Sequence, residues 1–225
     1  MKTVTVVIPA YNEEERIVET IRAVQNIAGI DQIIVVNDGS SDQTAMRSRR
    51  EGVLVVDLKY NLGKGGAMNA ALPHIYTDVV VFLDADLGES AGEVCKIIQP
   101  VLNGIADICI AAFPAPPQKG GFGIVKGTAA WALRRAGMVE VNAPLSGQRA
   151  MTREVLRAIT PFHEAYGVEL GMSINALMQG YKIMEVPTTM GHNETGRDLQ
   201  GFLHRGKQLV DVLRVIIMEK GGKWI

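Results

Sequence analysis

Two carboxylates bracketing one small residue, Asp84-Ala85-Asp86, stand directly after an apolar run at 79–83. Such a pair at a strand end can share a divalent cation and the pyrophosphate it carries, and hard oxygen ligands favour Mg2+ or Mn2+. Asp-x-Asp in an arbitrary loop would be read as a turn with a capping aspartate; its place after a buried strand reverses that judgement. Lys64 stands in Gly63-Lys64-Gly65-Gly66, a backbone nearly free of side chains that suits an approaching phosphate, with the ammonium as a point charge. This stretch lacks the Gly-Lys-Ser/Thr ending and follows the third strand rather than the first, which excludes a P-loop ATPase. The first turn, Pro9-Ala10-Tyr11-Asn12-Glu13-Glu14-Glu15, has no Gly-x-Gly-x-x-Gly, which excludes a dinucleotide-dependent dehydrogenase. An acidic turn repels a pyrophosphate but can hydrogen-bond a base and a ribose. The second turn, Asn37-Asp38-Gly39-Ser40-Ser41-Asp42, adds Asp38 to the same set, with Asp42 placed to cap a helix.

In an open parallel sheet, ligands bind beyond the carboxyl ends of the strands, and each of these clusters follows a strand-like run. Short β-branched runs predict strands over 4–8, 32–36, 53–57, 79–83 and 107–111, alternating with helices over 13–26, 42–51, 65–75 and 91–102. The strands are apolar almost throughout, as burial on both faces requires. The expected fold class is α/β: a Rossmann-like, mostly parallel sheet flanked by helices. At 113–123 a Pro- and Gly-rich stretch predicts a loop. Helices are expected over 124–136, 153–159 and 167–179, with an irregular stretch through Pro144 and a strand over 181–186. A last helix shows one apolar face, Leu199, Phe202, Leu203, Leu209, Val210, Leu213, Ile216 and Ile217.

The 225 residues, 47% hydrophobic and 21% charged, suit a single domain and contain no linker-like or repeated segment. A net charge of -1 offers no field to gather nucleic acid or an anionic membrane. No apolar run approaches the roughly 20 residues of a membrane span, and no signal-like region opens the chain, so a soluble cytoplasmic protein is expected. Cys95 and Cys109 are unclustered and read as reduced packing residues.

Taken in order, Val6-Val-Ile-Pro-Ala-Tyr-Asn-Glu-Glu14, Val35-Val-Asn-Asp-Gly-Ser-Ser-Asp-Gln-Thr44, Asn61-Leu-Gly-Lys-Gly65 and Phe82-Leu-Asp-Ala-Asp86 resemble the GT-A glycosyltransferases, particularly the family-2 type. The resemblance implies a metal-dependent transfer of a hexose from a nucleotide-sugar. UDP-glucose is the first candidate donor and GDP-mannose the second. It also implies a donor site of Pro9, Ala10, Tyr11, Glu13 and Asp38 around base and ribose, Lys64 near the phosphates, and Asp84, Ala85 and Asp86 at ribose and metal. The second half resembles a narrower group, the glucosyl-3-phosphoglycerate synthases, through Pro144-Leu-Ser-Gly-Gln148, Tyr166-Gly-Val-Glu-Leu-Gly171 and the region from His192 to Arg205. By that likeness His192 joins Asp86 on the metal and Arg205 faces the donor.

Residues 1–112 are thus expected to form the nucleotide-sugar-binding half, and 113–225 the acceptor-binding half with a C-terminal helix. Gly121, Lys126, Gly147 and Glu169 are the expected acceptor-facing residues. The glycine-rich segment Gly120-Gly-Phe-Gly-Ile-Val-Lys-Gly-Thr128 carries a lysine where that group has an arginine, so the acceptor, small or lipid-phosphate, stays open. Catalysis is expected from a fixed cation at the departing diphosphate, through Asp86 and Lys64, with Glu169 as the acid nearest the acceptor. A nucleotidyltransferase would share the sheet but open with a glycine-rich, arginine-containing first loop. A non-catalytic nucleotide-sugar-binding protein would keep the site and lose turnover. A homodimer through the last helix is left open.

Overall fold

The computed structural model describes residues 2–113, 124–138, 140–162 and 167–191. Seven strands form one sheet in the order β3-β2-β1-β4-β6-β5-β7. They are β1 (Val4–Ala10), β2 (Gln32–Asn37), β3 (Leu54–Asp57), β4 (Val79–Phe82), β5 (Ile108–Ala112), β6 (Arg149–Thr152) and β7 (Ile183–Pro187). β1 pairs parallel with β2 and β4, β2 with β3, and β5 with β7. β6 runs antiparallel to both of its neighbours, β4 and β5.

The helices are α1 (Ile17–Gln25), α2 (Thr44–Arg50), α3 (Gly63–Ala71), α4 (Cys95–Leu102), α5 (Ile124–Arg135), α6 (Arg153–Ile159) and α7 (Val168–Met178), with 3-10 turns at Leu72–His74 and Gly88–Val94. The strand alternation places a core on each side of the sheet. Val4, Val6 and Ile8 pack with Ile17, Ile21, Val24 and Ile97 of α1 and α4. Val7, Val80 and Phe82 pack with Met68, Val155 and Met172 of α3, α6 and α7. Phe82 and Phe162 meet edge to face, with ring centroids 5.6 Å apart, a geometry worth about 1 kcal/mol beyond area burial. A smaller cluster joins α5 to α7 through Ala129, Leu133, Leu170 and Ile174.

Three differences from the expected elements bear on the site. α1 begins at Ile17 rather than near 13, because the carbonyl of Glu13 is taken by the amides of Arg16 and Ile17 in a turn, and Asn12 has φ 56°. The segment before α4 is a 3-10 turn through Val94 rather than one continuous helix. Most important, β6 has no counterpart among the expected strands. Its four residues, Arg-Ala-Met-Thr, contain no apolar β-branched run, and the chain leaves it directly into α6, where the Thr152 hydroxyl accepts from Val155 N–H.

Candidate active site

The loops after β1, β2 and β3 are tied to one another before any ligand arrives. Asn12 N–H donates to Ser40 Oγ (3.0 Å) and Asn12 Oδ1 accepts from Ser41 N–H (2.9 Å). Glu13 N–H donates to Thr44 Oγ1 (2.8 Å), and Glu14 N–H to Asp42 Oδ2 (3.1 Å). Asp42 also accepts from Thr44 N–H at 2.9 Å; the N-cap position itself is Gln43, so Asp42 satisfies the first amide of α2 from one residue before the expected cap. Asp38 is 4% exposed, donates its N–H to Ala10 O, and accepts from Leu62 N–H through Oδ1 at 2.7 Å. This contact brings the third loop over the second. Gly39 permits it: φ is +70°, and an added Cβ would stand 2.7 Å from the backbone of both Tyr60 and Asn61. Tyr11 projects from this edge with half its surface exposed, while Ala10 is buried beneath it.

Lys64, in the first turn of α3, is where the two halves of the chain meet. Its ammonium lies 2.5 Å from Asp84 Oδ1 and 2.8 Å from Glu169 Oε1. Glu169 comes from the first turn of α7, 105 positions further along the chain, and its side chain is only 15% exposed. A solvated glutamate on an apolar helix is therefore not what the structure shows. Burial alone would lower the Lys64 ammonium, but the charges of Asp84 and Glu169, with hydrogen bonds to both, more than reverse this, and its pKa lies above the ordinary lysine value. Lys64 stays cationic at any working pH.

The antiparallel strand explains how Gly147 and Gln148 join this group. β6 pairs Arg149 with Phe82, so the residues just before β6 lie beside those just after β4. Gln148 Nε2 donates to Asp84 Oδ2 at 2.6 Å, which leaves Asp84 held on one oxygen by Lys64 and on the other by Gln148. Gly147 faces the same ion pair: an added Cβ would lie 2.9 Å from each Asp84 oxygen and closer still to Lys64 Nζ.

Arg149 is fully buried beneath the site. Nη1 donates to Glu169 O (2.9 Å) and Ser173 Oγ (3.2 Å), and Nη2 to Ser146 O (2.6 Å), while Nε has no partner among the described residues. Burial lowers the guanidinium to about 10, against the opposing charges of Glu169 and Asp84. Gln148 and Arg149 were not singled out as functional by the sequence. The signal was an adjacent amide and cation in a stretch otherwise flanked by small and apolar residues.

Asp86 lies two residues beyond Asp84 on the turn after β4. Glu13, across from it, is half-buried and raised to about 7, first by burial and then by the charges of Asp86, Asp42 and Asp84, with Arg16 opposing. Such crowding of negative charge is what a divalent cation relieves. Among the described residues no group of three His, Cys, Asp or Glu side chains is arranged to hold a metal by itself. Gly121, His192, Arg205 and the side chain of Lys126 lie outside the described residues, as does the last helix proposed for a homodimer. No helix among the described residues is long and apolar enough to cross a membrane.

The sequence of residues 5–155 matches the model of the family described as Glycosyl transferase family 2. The chain belongs to glycosyl transferase family 2. It is 31% identical over 194 residues to the glucosyl-3-phosphoglycerate synthase of Mycolicibacterium smegmatis, covering 77% of this chain and 64% of that one. It is 29% identical over 208 residues to glycosyltransferase AglJ of Haloferax volcanii, covering 87% and 65%. The chain thus spans less than two thirds of the length of these relatives. The crystal structure of the Mycobacterium tuberculosis glucosyl-3-phosphoglycerate synthase with Mn2+, UDP and phosphoglyceric acid superposes with a TM-score of 0.78 at 26% identity, covering 96% of this chain and 78% of that one. The fold is the GT-A type expected of this family-2 chain: a mostly parallel sheet with helices on both faces.

Proposed function

We propose that this chain is a metal-dependent glycosyltransferase that moves glucose from UDP-glucose to a hydroxyl of a phosphorylated acceptor. The observation that carries the reading is the bridge from Asp84 through Lys64 to Glu169, because it sets a fixed cation between a donor-side and an acceptor-side carboxylate. Residues 1–112 form the donor half and 113–225 the acceptor half in this reading.

Pro9, Ala10, Tyr11, Glu13 and Asp38 bind the base and ribose. Their loops are cross-linked in advance, so little ordering remains to be done on binding. Asp86 and His192 hold Mg2+ or Mn2+, the ions named with the M. tuberculosis enzyme. The acidic surroundings of Asp86 and Glu13 fit a hard divalent cation. The bound cation supplies charge stabilisation at the departing diphosphate. Lys64, permanently charged, adds to it from α3, and Arg205 does so from the C-terminal region. Asp84, with both oxygens already held by Lys64 and Gln148, orients the sugar or ribose rather than the metal. Glu169 faces the acceptor, whose further contacts come from Gly121, Lys126 and Gly147.

The acceptor reading rests on the relatives' names and on Lys126 as the cation of the glycine-rich segment. The test is release of UDP from UDP-glucose with Mn2+ and either 3-phosphoglycerate or a polyprenyl phosphate, for wild type and Asp86→Ala. Acceptor-dependent UDP release, lost in the variant, is expected. Release of inorganic pyrophosphate would indicate a nucleotidyltransferase, and no release with any donor would sink the catalytic reading.

A further inference from the structure

Thr20 lies on the inner face of α1 with no exposed surface. A threonine within a helix ordinarily turns its hydroxyl to water or back to the carbonyl four residues earlier. Thr20 instead reaches across to the turn after β4. Its Oγ1 donates to Ala85 O at 2.8 Å and accepts from Gly88 N–H at 2.8 Å. Those two backbone groups bracket Asp86, so a single buried hydroxyl closes the turn on both sides of that carboxylate. Gly88 has φ +55°, and an added Cβ there would meet Glu19 Oε2 at 3.1 Å, so α1 and the turn are in close contact beside Thr20 as well.

The 3-10 turn that follows extends the same frame. Ser90 Oγ donates to Leu87 O at 2.6 Å and accepts from Gly191 N–H at 3.2 Å. The Glu93 carboxylate accepts from Thr189 N–H at 3.1 Å. The residue after Gly191 is His192. One short segment is therefore fastened to α1 on one side, and on the other to the backbone at Thr189 and Gly191.

We infer that Thr20 and Ser90 are positioning residues for the divalent-cation site. Thr20 fixes the backbone from which Asp86 projects, and Ser90 holds the same turn at Leu87 O, the residue after Asp86, and ties it to Gly191 N–H. The inference rests on the reading of Asp86 as a cation ligand. Neither hydroxyl touches the cation; both act through the backbone of the residues they hold. A β-branched threonine with a restricted χ1 is suited to this, because its hydroxyl stays aimed at the turn without further ordering. Groups that orient metal ligands in this way typically change metal affinity by about 10- to 100-fold when removed.

The test is direct Mn2+ binding in the presence of UDP, by calorimetry and by the Mn2+ paramagnetic resonance signal, for wild type, Thr20→Val, Thr20→Ser, Ser90→Ala and Asp86→Ala, with thermal unfolding of each. Thr20→Val should weaken Mn2+ by about 10- to 100-fold, Thr20→Ser should restore wild-type affinity, and Ser90→Ala should weaken it in the same direction. Thr20→Val that melts earlier yet binds Mn2+ as the wild type does would overturn the inference and leave Thr20 a packing residue. Should Thr20→Val not fold, Ser90→Ala decides by the same readout, wild-type affinity again overturning it. Loss of Mn2+ in Asp86→Ala with undisturbed Thr20 and Ser90 variants defeats this inference alone, whereas wild-type Mn2+ binding in Asp86→Ala defeats the metal-site reading beneath it.

Discussion

A single methyl group at Gly147 should separate catalysis from folding. No left-handed backbone angle is recorded there, so alanine brings no strain of its own. Its Cβ would stand 2.9 Å from both Asp84 oxygens and closer to Lys64 Nζ, and essentially no real Cβ approaches other heavy atoms that closely. The end of the Lys64 chain is the most flexible of these groups and yields first, the Asp84 carboxylate must shift as well, and the Asp84–Lys64–Glu169 bridge opens. The ion pairs it makes are partly screened, with Lys64 32%, Asp84 25% and Glu169 15% exposed, so the loss to the fold is about 1 kcal/mol. For a chain of this size that is about 2–4 °C in Tm. The loss to catalysis is larger, because a fixed charge at the reacting centre is worth about 100- to 1,000-fold.

Gly147→Ala should therefore reduce kcat/KM for UDP-glucose by about two orders of magnitude with a nearly unchanged melting curve. Lys64→Ala should resemble it, and the double variant should be no worse than Lys64→Ala alone, because both changes remove one interaction. Wild-type kcat/KM in Gly147→Ala, or a double variant that loses the product of the two single effects, would show that the Asp84–Lys64–Glu169 bridge does not act in catalysis.

Glu169→Gln should reduce kcat by about 100- to 10,000-fold while leaving UDP and Mn2+ binding intact, as binding assays beside steady-state kinetics would show. Arg149→Met strips its donors from Ser146 O, Glu169 O and Ser173 Oγ, but the Ser173 hydroxyl still donates to Glu169 O, so calorimetric unfolding should show a loss of about 1–3 kcal/mol, chiefly from Ser146 O. Glu13, raised to about 7 by burial and by Asp86, Asp42 and Asp84, should release its proton when a cation binds. Mg2+ affinity should accordingly rise as pH increases through about 7 and level off above it, and Glu13→Gln should flatten that dependence. An affinity independent of pH in the wild type would contradict it.

The clustering of polar residues at the strand ends was legible because its spacing is local. Asp84-Ala85-Asp86 follows an uninterrupted apolar strand, Lys64 opens a helix through glycines, and Asp38 closes the second strand; in a parallel sheet such positions must share one edge. The partnership of Lys64 with Glu169 was not legible, because it depends on how α7 packs on the sheet, which no short-range pattern encodes. Gln148 and Arg149 were missed for a related reason. Arg149 opens a four-residue antiparallel strand and Gln148 stands just before it, and periodicity arguments need longer and more apolar runs than that. Only the pairing of β6 with β4 brings Gln148 to Asp84 and sets Arg149 under α7. The 3-10 turn before α4 was read as helix because its apolar spacing continues smoothly into Cys95–Leu102.

The most direct test of the central claim is calorimetric binding of UDP, GDP and their sugar conjugates, with and without Mn2+, to the wild type and to Asp86→Ala. Mn2+-dependent binding of UDP and UDP-glucose that disappears in Asp86→Ala is expected. Binding of no nucleotide under any condition, or UDP binding indifferent to both the metal and the substitution, would contradict it.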